Sequence, residues 1–397
     1  MSWNQNIKRI VDVCEVIAGQ SPEGKYYNKV GEGLPFYQGK KEFRDKQLGE
    51  PTTWTTKTTK EAFNNDILMS VRAPVGPINI ATQHICIGRG LAAIRATDKV
   101  DNDYLFYFLL KHESEIVGNV GAVFNSINKT QIGNIQIPIP PLEEQKQIVA
   151  ILDKAFTAIE KAKANIEKNI VNAKELFQSK LNDIFSQKGD GWEEKSLPEL
   201  VNKSCSLSYG IVQPGNEFQD GLPVVRPTDM KKKFININNL KRIDPTKAGS
   251  YKRTILTGNE LLLCVRGDTG VISITNKELK GANVTRGIVP VLFDEDLVRL
   301  NFGYYQFISK FLYKQIKEKT YGAALMQINI RDVRQLKLNV PPINVQDELL
   351  PKLNTLSDNA ETLLSLYLNK MVSLDELKKS ILQKAFAGEL IQKEVVV

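Results

Sequence analysis

The segment GAVFNSINKTQIGNIQIPIPPLEEQ at residues 121–145 is answered by GAALMQINIRDVRQLKLNVPPINVQ at residues 322–346, at a constant offset of 201. Gly121 aligns with Gly322, Asn128 with Asn329, Pro140-Pro141 with Pro341-Pro342, and Gln145 with Gln346. Towards the N-terminus further matches recur at drifting offsets, as loop insertions produce. Gly33-Leu34-Pro35 matches Gly221-Leu222-Pro223, the stretch ending at Arg72 matches the one ending at Arg266, and Arg89-Gly90 matches Arg286-Gly287. In a chain of 397 residues a period near 200 is a duplicated domain rather than a solenoid. The chain therefore reads as two homologous halves, about 1–190 and 191–397.

Within each half the texture changes once, at the Pro-Pro pair. Before it, glycine, proline and aromatic residues separate short apolar runs such as Ile78-Asn79-Ile80 and Val271-Ile272-Ser273-Ile274, which read as short strands joined by turns. Residues 103–117 form an amphipathic helical pattern, and residues 302–318 its counterpart. After the Pro-Pro pair apolar residues recur in steps of four and three, the heptad signature of a coiled coil. The first stripe runs Ile148, Leu152, Ala155, Ile159, Ala162, Ile166, Asn169, Ala173, Leu176. The second runs Leu349, Leu353, Leu356, Ala360, Leu363, Tyr367, Lys370, Leu374, Leu377, Ile381. Both break once, at Asn169 and Lys370, where a polar residue can fix register. Each stripe needs a partner, either its own domain or the other stripe. Antiparallel pairing of the two is the expected arrangement. The expected fold class is α+β: two mixed α/β domains, each followed by a long helix, with the helices pairing as an antiparallel coiled coil under pseudo-twofold symmetry. Pro351 is expected to kink the second helix unless that helix begins near residue 350.

Chemistry-bearing residues are scarce. The chain has two histidines, His84 and His112, and four cysteines, Cys14, Cys86, Cys205 and Cys264. Their spacing matches no zinc or redox motif, so the cysteines are expected to be buried apolar residues and no metal site is expected. No phosphate loop, dinucleotide fingerprint or nucleophile elbow is present. The first residues lack the apolar core of a secretory signal, and no apolar run reaches membrane-spanning length. A cytoplasmic protein that binds rather than catalyses is expected.

Lys and Arg number 53 against 45 Asp and Glu, a net charge of +8. The excess is uneven: residues 187–343 carry net +8 and residues 1–142 net +2, while the helical segments 143–186 and 344–390 carry 0 and −2. Basic residues cluster between Arg226 and Arg253, including Lys231-Lys232-Lys233, and in a smaller group Lys40, Lys41, Arg44 and Lys46. Such clusters suit counterion-releasing contact with phosphates, though a solvated loop has the same composition. Neighbouring polar and aromatic residues, such as Phe36-Tyr37-Gln38, add groups for base edges.

The Pro-Ile-Pro-Pro-Leu-Glu-Glu-Gln-Lys-Gln-Ile stretch at 138–148 opens a long heptad helix after a mixed domain, and the unit occurs twice. This resembles the specificity subunit of Type I restriction-modification systems over essentially the whole chain. The second copy keeps Pro341, Pro342 and Gln346 but loses the glutamate. The resemblance implies target recognition domains at 1–142 and 189–343, a conserved spacer helix at 143–188, a second spacer helix with a C-terminal tail at 344–397, and no chemistry by the chain itself. It implies double-stranded DNA as ligand, with an asymmetric bipartite target. It also implies two adenine-N6 methyltransferase subunits that use S-adenosylmethionine, and in a full complex restriction subunits using ATP and Mg. Under it, the expected DNA-contacting residues are Gln38, Lys40, Lys41, Arg44, Arg72 and Arg89 in the first head. In the second they are Arg226, Asp229, Lys231, Lys232, Arg266 and Arg286. Structural salt bridges remain an equal alternative for the arginine pairs Arg72/Arg266 and Arg89/Arg286. Glu143, Glu144, Gln145, Gln147 and Gln346 are expected on the partner-docking surface, and Asn128 and Asn329 at the domain–helix junction. The competing reading is a non-DNA coiled-coil scaffold with two protein-binding heads.

Overall fold

The computed structural model describes residues 6–118, 126–186, 189, 191–323 and 325–390. Gly121, where the repeated segment starts, lies outside the described residues. In the first half, strands β1 (Cys14–Ala18), β2 (Leu34–Tyr37), β3 (Ile67–Ser70), β4 (Ile78–Ile80), β5 (Ile85–Ile87) and β6 (Leu91–Ala96) precede helices α1 (Asn102–Gly118), α2 (Lys129–Gly133) and α3 (Leu142–Ser186). In the second half, strands β7 (Leu222–Val225), β8 (Leu261–Cys264), β9 (Ile272–Ile274), β10 (Asn283–Val284) and β11 (Ile288–Val291) precede α4 (Leu300–Ile308), α5 (Lys310–Glu318), α6 (Ile330–Arg334) and α7 (Ile343–Ala387). The fold is α+β, two mixed domains each followed by a long helix. Two compact units result, Met1–Ile166 with Leu368–Val397 and Glu167–Tyr367, so each long helix gives one part of its length to each unit.

In the first unit β1, β6, β3 and β4 form an antiparallel sheet in that order. Every residue of β3 is buried, because both faces of the sheet are covered. One face packs on Tyr104, Leu105 and Phe108 of α1, Ile148, Leu152 and Phe156 of α3, and Leu382 and Ala385 of α7. The other packs on a second layer holding Tyr37, Ile85 and Ile87, in which β2 and β5 run parallel with Phe36 opposite Cys86 and Tyr37 opposite Ile87. The second unit repeats the plan. β9, β8 and β11 form an antiparallel sheet, and the strand equivalent to β1 shrinks to a bridge between Val201 and Phe293. Its second layer pairs β7 and β10 in parallel, Val224 opposite Asn283 and Val225 opposite Val284. The core joins Leu261, Leu263, Phe302 and Tyr305 to Leu181 and Phe185 of α3 and Leu353 of α7.

The helix expected over 302–318 is two helices. Ser309 between α4 and α5 is extended (φ −71°, ψ 153°), is fully buried, and donates from Oγ to the Gln306 carbonyl at 2.6 Å. A buried serine bonded to the backbone competes with the helical pattern and ends it.

The long helices run antiparallel where they pack. In the first unit Lys163 meets Asp375 at 2.5 Å and Lys378 meets Glu160 at 2.9 Å. The heptad stripe holds from Ile148 to Ile166 and then drifts, with Ala173 still buried. Asn169, Leu176, Lys370 and Leu377 are exposed, and the inward places pass to Ile170, Phe177 and Leu181, and to Met371, Lys378 and Leu382. A straight helix with 3.6 residues per turn rotates about 20° per heptad against a 3.5 repeat. Asn169 and Lys370 therefore fix no register.

Helix α7 starts at Ile343 and runs through Pro351 rather than starting near residue 350. Proline has no N–H for the carbonyl four residues back. Pro351→Ala is expected to stabilise the second unit by about 1–2 kcal/mol, the helix-interior cost of proline less its gain in the unfolded chain. Thermal unfolding of the full chain checks this; an unchanged or lowered midpoint would contradict it.

Candidate nucleic-acid interface

Three strand ends meet in the first unit. Because β2 and β5 run parallel, both finish at one edge, where Gln38 and Arg89 follow. The Gly88 N–H donates to the Tyr37 carbonyl at 2.8 Å and the Gly90 N–H to the Gln38 carbonyl at 3.1 Å. β3 ends beside them, the Val71 N–H donating to the Gly90 carbonyl at 3.0 Å, and Arg72 comes next. The segment after β1 completes the group: the Gln20 N–H donates to the Ile87 carbonyl at 3.0 Å and the Arg89 N–H to Ser21 Oγ at 3.2 Å. Gln38, Arg72 and Arg89, distant in sequence, thus share one platform, and all three are exposed.

The second unit builds a matching platform with three of these bonds. The Thr285 N–H donates to Val225 O at 2.9 Å, Val265 N–H to Gly287 O at 2.8 Å, and Ile211 N–H to Val284 O at 2.8 Å. Arg226, Arg266 and Arg286 take the places of Gln38, Arg72 and Arg89. Arg72 forms a β-bridge with Ser126 and Arg266 with Gln327; Ser126 and Gln327 stand at the offset of 201. Arg286 is exposed, while Arg226 and Arg266 are half-buried.

The expected basic residues lie on loops leaving this platform. Lys40 and Lys41 are exposed in the tight turn Lys40–Glu42, which Gly39 joins to Gln38. Burial raises the pKa of Glu113, and the nearby Lys40 charge opposes the shift. Arg44 is exposed further along the loop, its carbonyl held by Asn79 Nδ2 at 2.6 Å. Lys231 and Lys232 are exposed in the second unit after the turn Pro227–Asp229. Exposed cations beside amide and guanidinium groups can bind phosphates and base edges.

Asp229 stands differently. Its carboxylate accepts from the Arg226 backbone N–H at 2.8 Å, from Nε at 3.1 Å and from Nη2 at 2.9 Å. This hydrogen-bonded pairing raises the Arg226 pKa. The Asp229 carboxylate thus holds the Arg226 side chain through both Nε and Nη2. Part of the second basic cluster also serves its own loop: Lys241 donates to Gly215 O at 2.5 Å and Arg242 to Gly221 O at 3.1 Å.

Of the residues expected on a docking surface, Glu143 and Gln147 are exposed and Glu144 is half-buried. Gln145 and Gln346 are fully buried, which removes them from any such surface. Gln145 accepts from the Asp101 N–H at 2.8 Å and donates to Pro140 O at 2.8 Å. Gln346 accepts from the Arg299 N–H at 2.9 Å and donates to Leu297 O at 2.8 Å and Pro341 O at 2.9 Å. Both clamp a domain to the start of its long helix. At the junction, Asn128 caps α2, accepting from the Gln131 N–H at 2.9 Å, whereas Asn329 accepts from the Tyr321 hydroxyl at 2.5 Å.

Cys14, Cys86 and Cys264 are buried free thiols and Cys205 is half-buried; burial pushes the Cys14 thiol up to about 12. Among the described residues no group of three or more His, Cys, Asp or Glu could hold a metal ion, and no helix is long and apolar enough to cross a membrane.

A family model described as the Type I restriction modification DNA specificity domain matches residues 3–168 and again residues 189–366. Its two matches fall on the two copies of the repeat. The chain is 49% identical over 160 residues to the putative type I restriction enzyme MjaX specificity subunit of Methanocaldococcus jannaschii, covering 39% of this chain and 37% of that protein. It is 22% identical over 405 residues to the type I restriction enzyme EcoBI specificity subunit of Escherichia coli, covering 95% of this chain and 84% of that protein. The fold is shared, at 18% identity and a TM-score of 0.77, with a chain from a structure of type I R-M system assembly and conformational transition, over 97% of this chain and 98% of that one.

Proposed function

The chain belongs to the Type I restriction modification DNA specificity domain family and is a specificity subunit, and on that premise we propose that each unit reads one half of a bipartite, asymmetric DNA target. The observation that carries this is the duplicated platform with unlike side chains at matching positions. Gln38 stands where the second unit has Arg226. A glutamine amide suits the paired donor and acceptor of adenine, and an arginine fork suits the two acceptors of guanine in the major groove. Lys40, Lys41 and Arg44, and Lys231 and Lys232, supply phosphate contacts that set register without reading sequence. Arg72, Arg89, Arg266 and Arg286 flank the reading positions. The second unit, with most of the positive charge, grips the backbone more strongly.

The chain leaves chemistry to partners. We assign it two adenine-N6 methyltransferase subunits using S-adenosylmethionine, with Glu143, Glu144 and Gln147 on the docking face, and restriction subunits using ATP and Mg in a complete system. Co-expression with a methyltransferase subunit is expected to give adenine methylation at a two-part motif in host DNA. Exchanging residues 189–343 for those of another specificity subunit is expected to change one half of that motif; a change in both halves would overturn the reading. DNA binding should weaken steeply between about 50 and 200 mM salt. No binding at the lower salt with the partner present would instead favour a protein-binding scaffold.

A further inference from the structure

Two lysines in the basic clusters lie against aromatic rings, at equivalent places in the two units. Lys46 Nζ lies 2.9 Å from Asp103 Oδ1 and 4.0 Å from Asp153 Oδ1, and 5.3 Å from the ring centres of both Phe106 and Tyr107. Lys233 Nζ lies 4.9 Å from the Tyr304 ring, 5.1 Å from Tyr305 and 5.5 Å from Phe234. It donates to the Tyr305 hydroxyl at 3.5 Å. The same tyrosine then reaches the long helix in each unit. Tyr107 donates to Asp153 of α3, and Tyr305 donates to Asn354 of α7 at 2.9 Å. Asp153 and Asn354 are separated by the repeat offset of 201.

The backbone at each lysine is pinned as well. The Lys46 carbonyl accepts from the Ile80 N–H at 2.9 Å, and the Lys233 carbonyl from the Ile274 N–H at 2.7 Å. One or two residues earlier, Asn79 holds the Arg44 carbonyl at 2.6 Å and Ser273 holds the Lys232 carbonyl at 2.8 Å. Burial lowers the pKa of Lys233, against the opposing influence of Glu361 and Asp358. A half-buried ammonium against two or three rings is held by their quadrupoles and is withdrawn from phosphate. A solvated loop has no need of such an arrangement twice.

We propose that Lys46 and Lys233 are positioning residues: each latches the loop bearing the exposed cations, Lys40 to Arg44 or Lys231 and Lys232, through an aromatic pair to the long helix of its unit. The latch fixes where those cations sit without touching DNA. This rests on the DNA-reading proposal and extends it to the geometry of the loops.

Lys46→Met and Lys233→Met in the full chain test it, because methionine keeps an unbranched stem against the rings while removing the charge. The first measurement needs no DNA. Amide exchange at Ile80 in K46M and at Ile274 in K233M is expected to quicken at least tenfold relative to the wild-type chain; unchanged exchange would overturn the latch. The second is binding of a mixed-sequence DNA duplex across a salt series. Affinity is expected to fall roughly three- to tenfold with the slope of log affinity against log salt unchanged. Lys41→Met, removing a phosphate contact, should flatten that slope by about 0.9. A slope change in K46M or K233M equal to that of K41M would place these lysines on DNA and overturn the proposal. Absence of duplex binding by the wild-type chain with its methyltransferase partner present would overturn the DNA-reading proposal, and with it the DNA part of this one. The exchange result would still decide whether the latch holds its loop.

Discussion

Gly210→Ala is expected to break the platform proposed to read DNA in the second unit and leave that of the first intact. A Cβ built on Gly210 would stand 1.9 Å from the Val284 carbonyl oxygen, 2.5 Å from its carbon and 2.7 Å from Val284 Cγ2. Its obstacle is strand backbone, which cannot rotate away as the end of a side chain could. The chain must shift by more than 1 Å, against the normal carbon–oxygen separation. The Ile211 N–H bond to Val284 O and the Arg286 N–H bond to Ile211 O, both 2.8 Å, lie in the path of that shift. We expect a cost of about 3 kcal/mol, roughly a hundredfold in the local equilibrium. Gly19 occupies the same place in the first unit, its Cβ meeting the Gly88 carbonyl oxygen at 2.2 Å, so Gly19→Ala is the mirror experiment. The measurement is the methylated motif in a host expressing each variant with the methyltransferase subunit. Gly210→Ala should lose discrimination in one half of the motif and Gly19→Ala in the other. Wild-type motifs from both would contradict the role given to the platform.

Neither glycine stands out in the sequence. Each is required by close approach of two backbones that meet only after the strands pair, and no local pattern encodes that meeting. The repeat was legible because both copies keep Asn, Pro-Pro and Gln at a fixed offset, and it carried the fold class with it. The equivalence of Arg72 with Arg266 and of Arg89 with Arg286 was legible for the same reason. Their convergence with Gln38 and Arg226 was not, since it depends on the parallel pairing of β2 with β5 and of β7 with β10. The basic clusters marked the loops that leave the platform but could not separate lysines facing solvent from Lys46 and Lys233. That separation is made by aromatic residues of α1 and α4 far along the chain. The heptad rule located the long helices and then misplaced their inner faces past Ile166, because a 3.5 period outruns a nearly straight helix.

The other misassignment defines the second large expectation. Gln145 and Gln346 belong to the stretch that resembles the family most, and a polar residue opening a helix invites a surface role. Each is instead fully buried, joining three backbone groups. Gln346→Leu keeps the volume and removes every bond. The Arg299 N–H and the carbonyls of Leu297 and Pro341 would lose this partner. At about 1–3 kcal/mol for each orphaned buried group, the expected loss is about 3–5 kcal/mol. Gln145→Leu should cost less, because its third bond, to the Lys99 carbonyl, is long at 3.4 Å. Gln346→Glu separates a lost bond from a lost shape. A carboxylate there would keep the acceptor for Arg299 but face two carbonyls with charge, so burial and those carbonyls raise its pKa above the unfolded value of about 4.3. Protonated, it regains one donor. Its stability should therefore be greatest below about pH 4.3 and fall as pH rises through the raised folded value, beyond any trend in the parent chain. Urea unfolding of the full chain across that range checks the sign. A Gln346→Glu variant that gains stability with rising pH, relative to the parent, would mean that the side chain turns out to water, and the clamp between the second domain and its long helix would not exist.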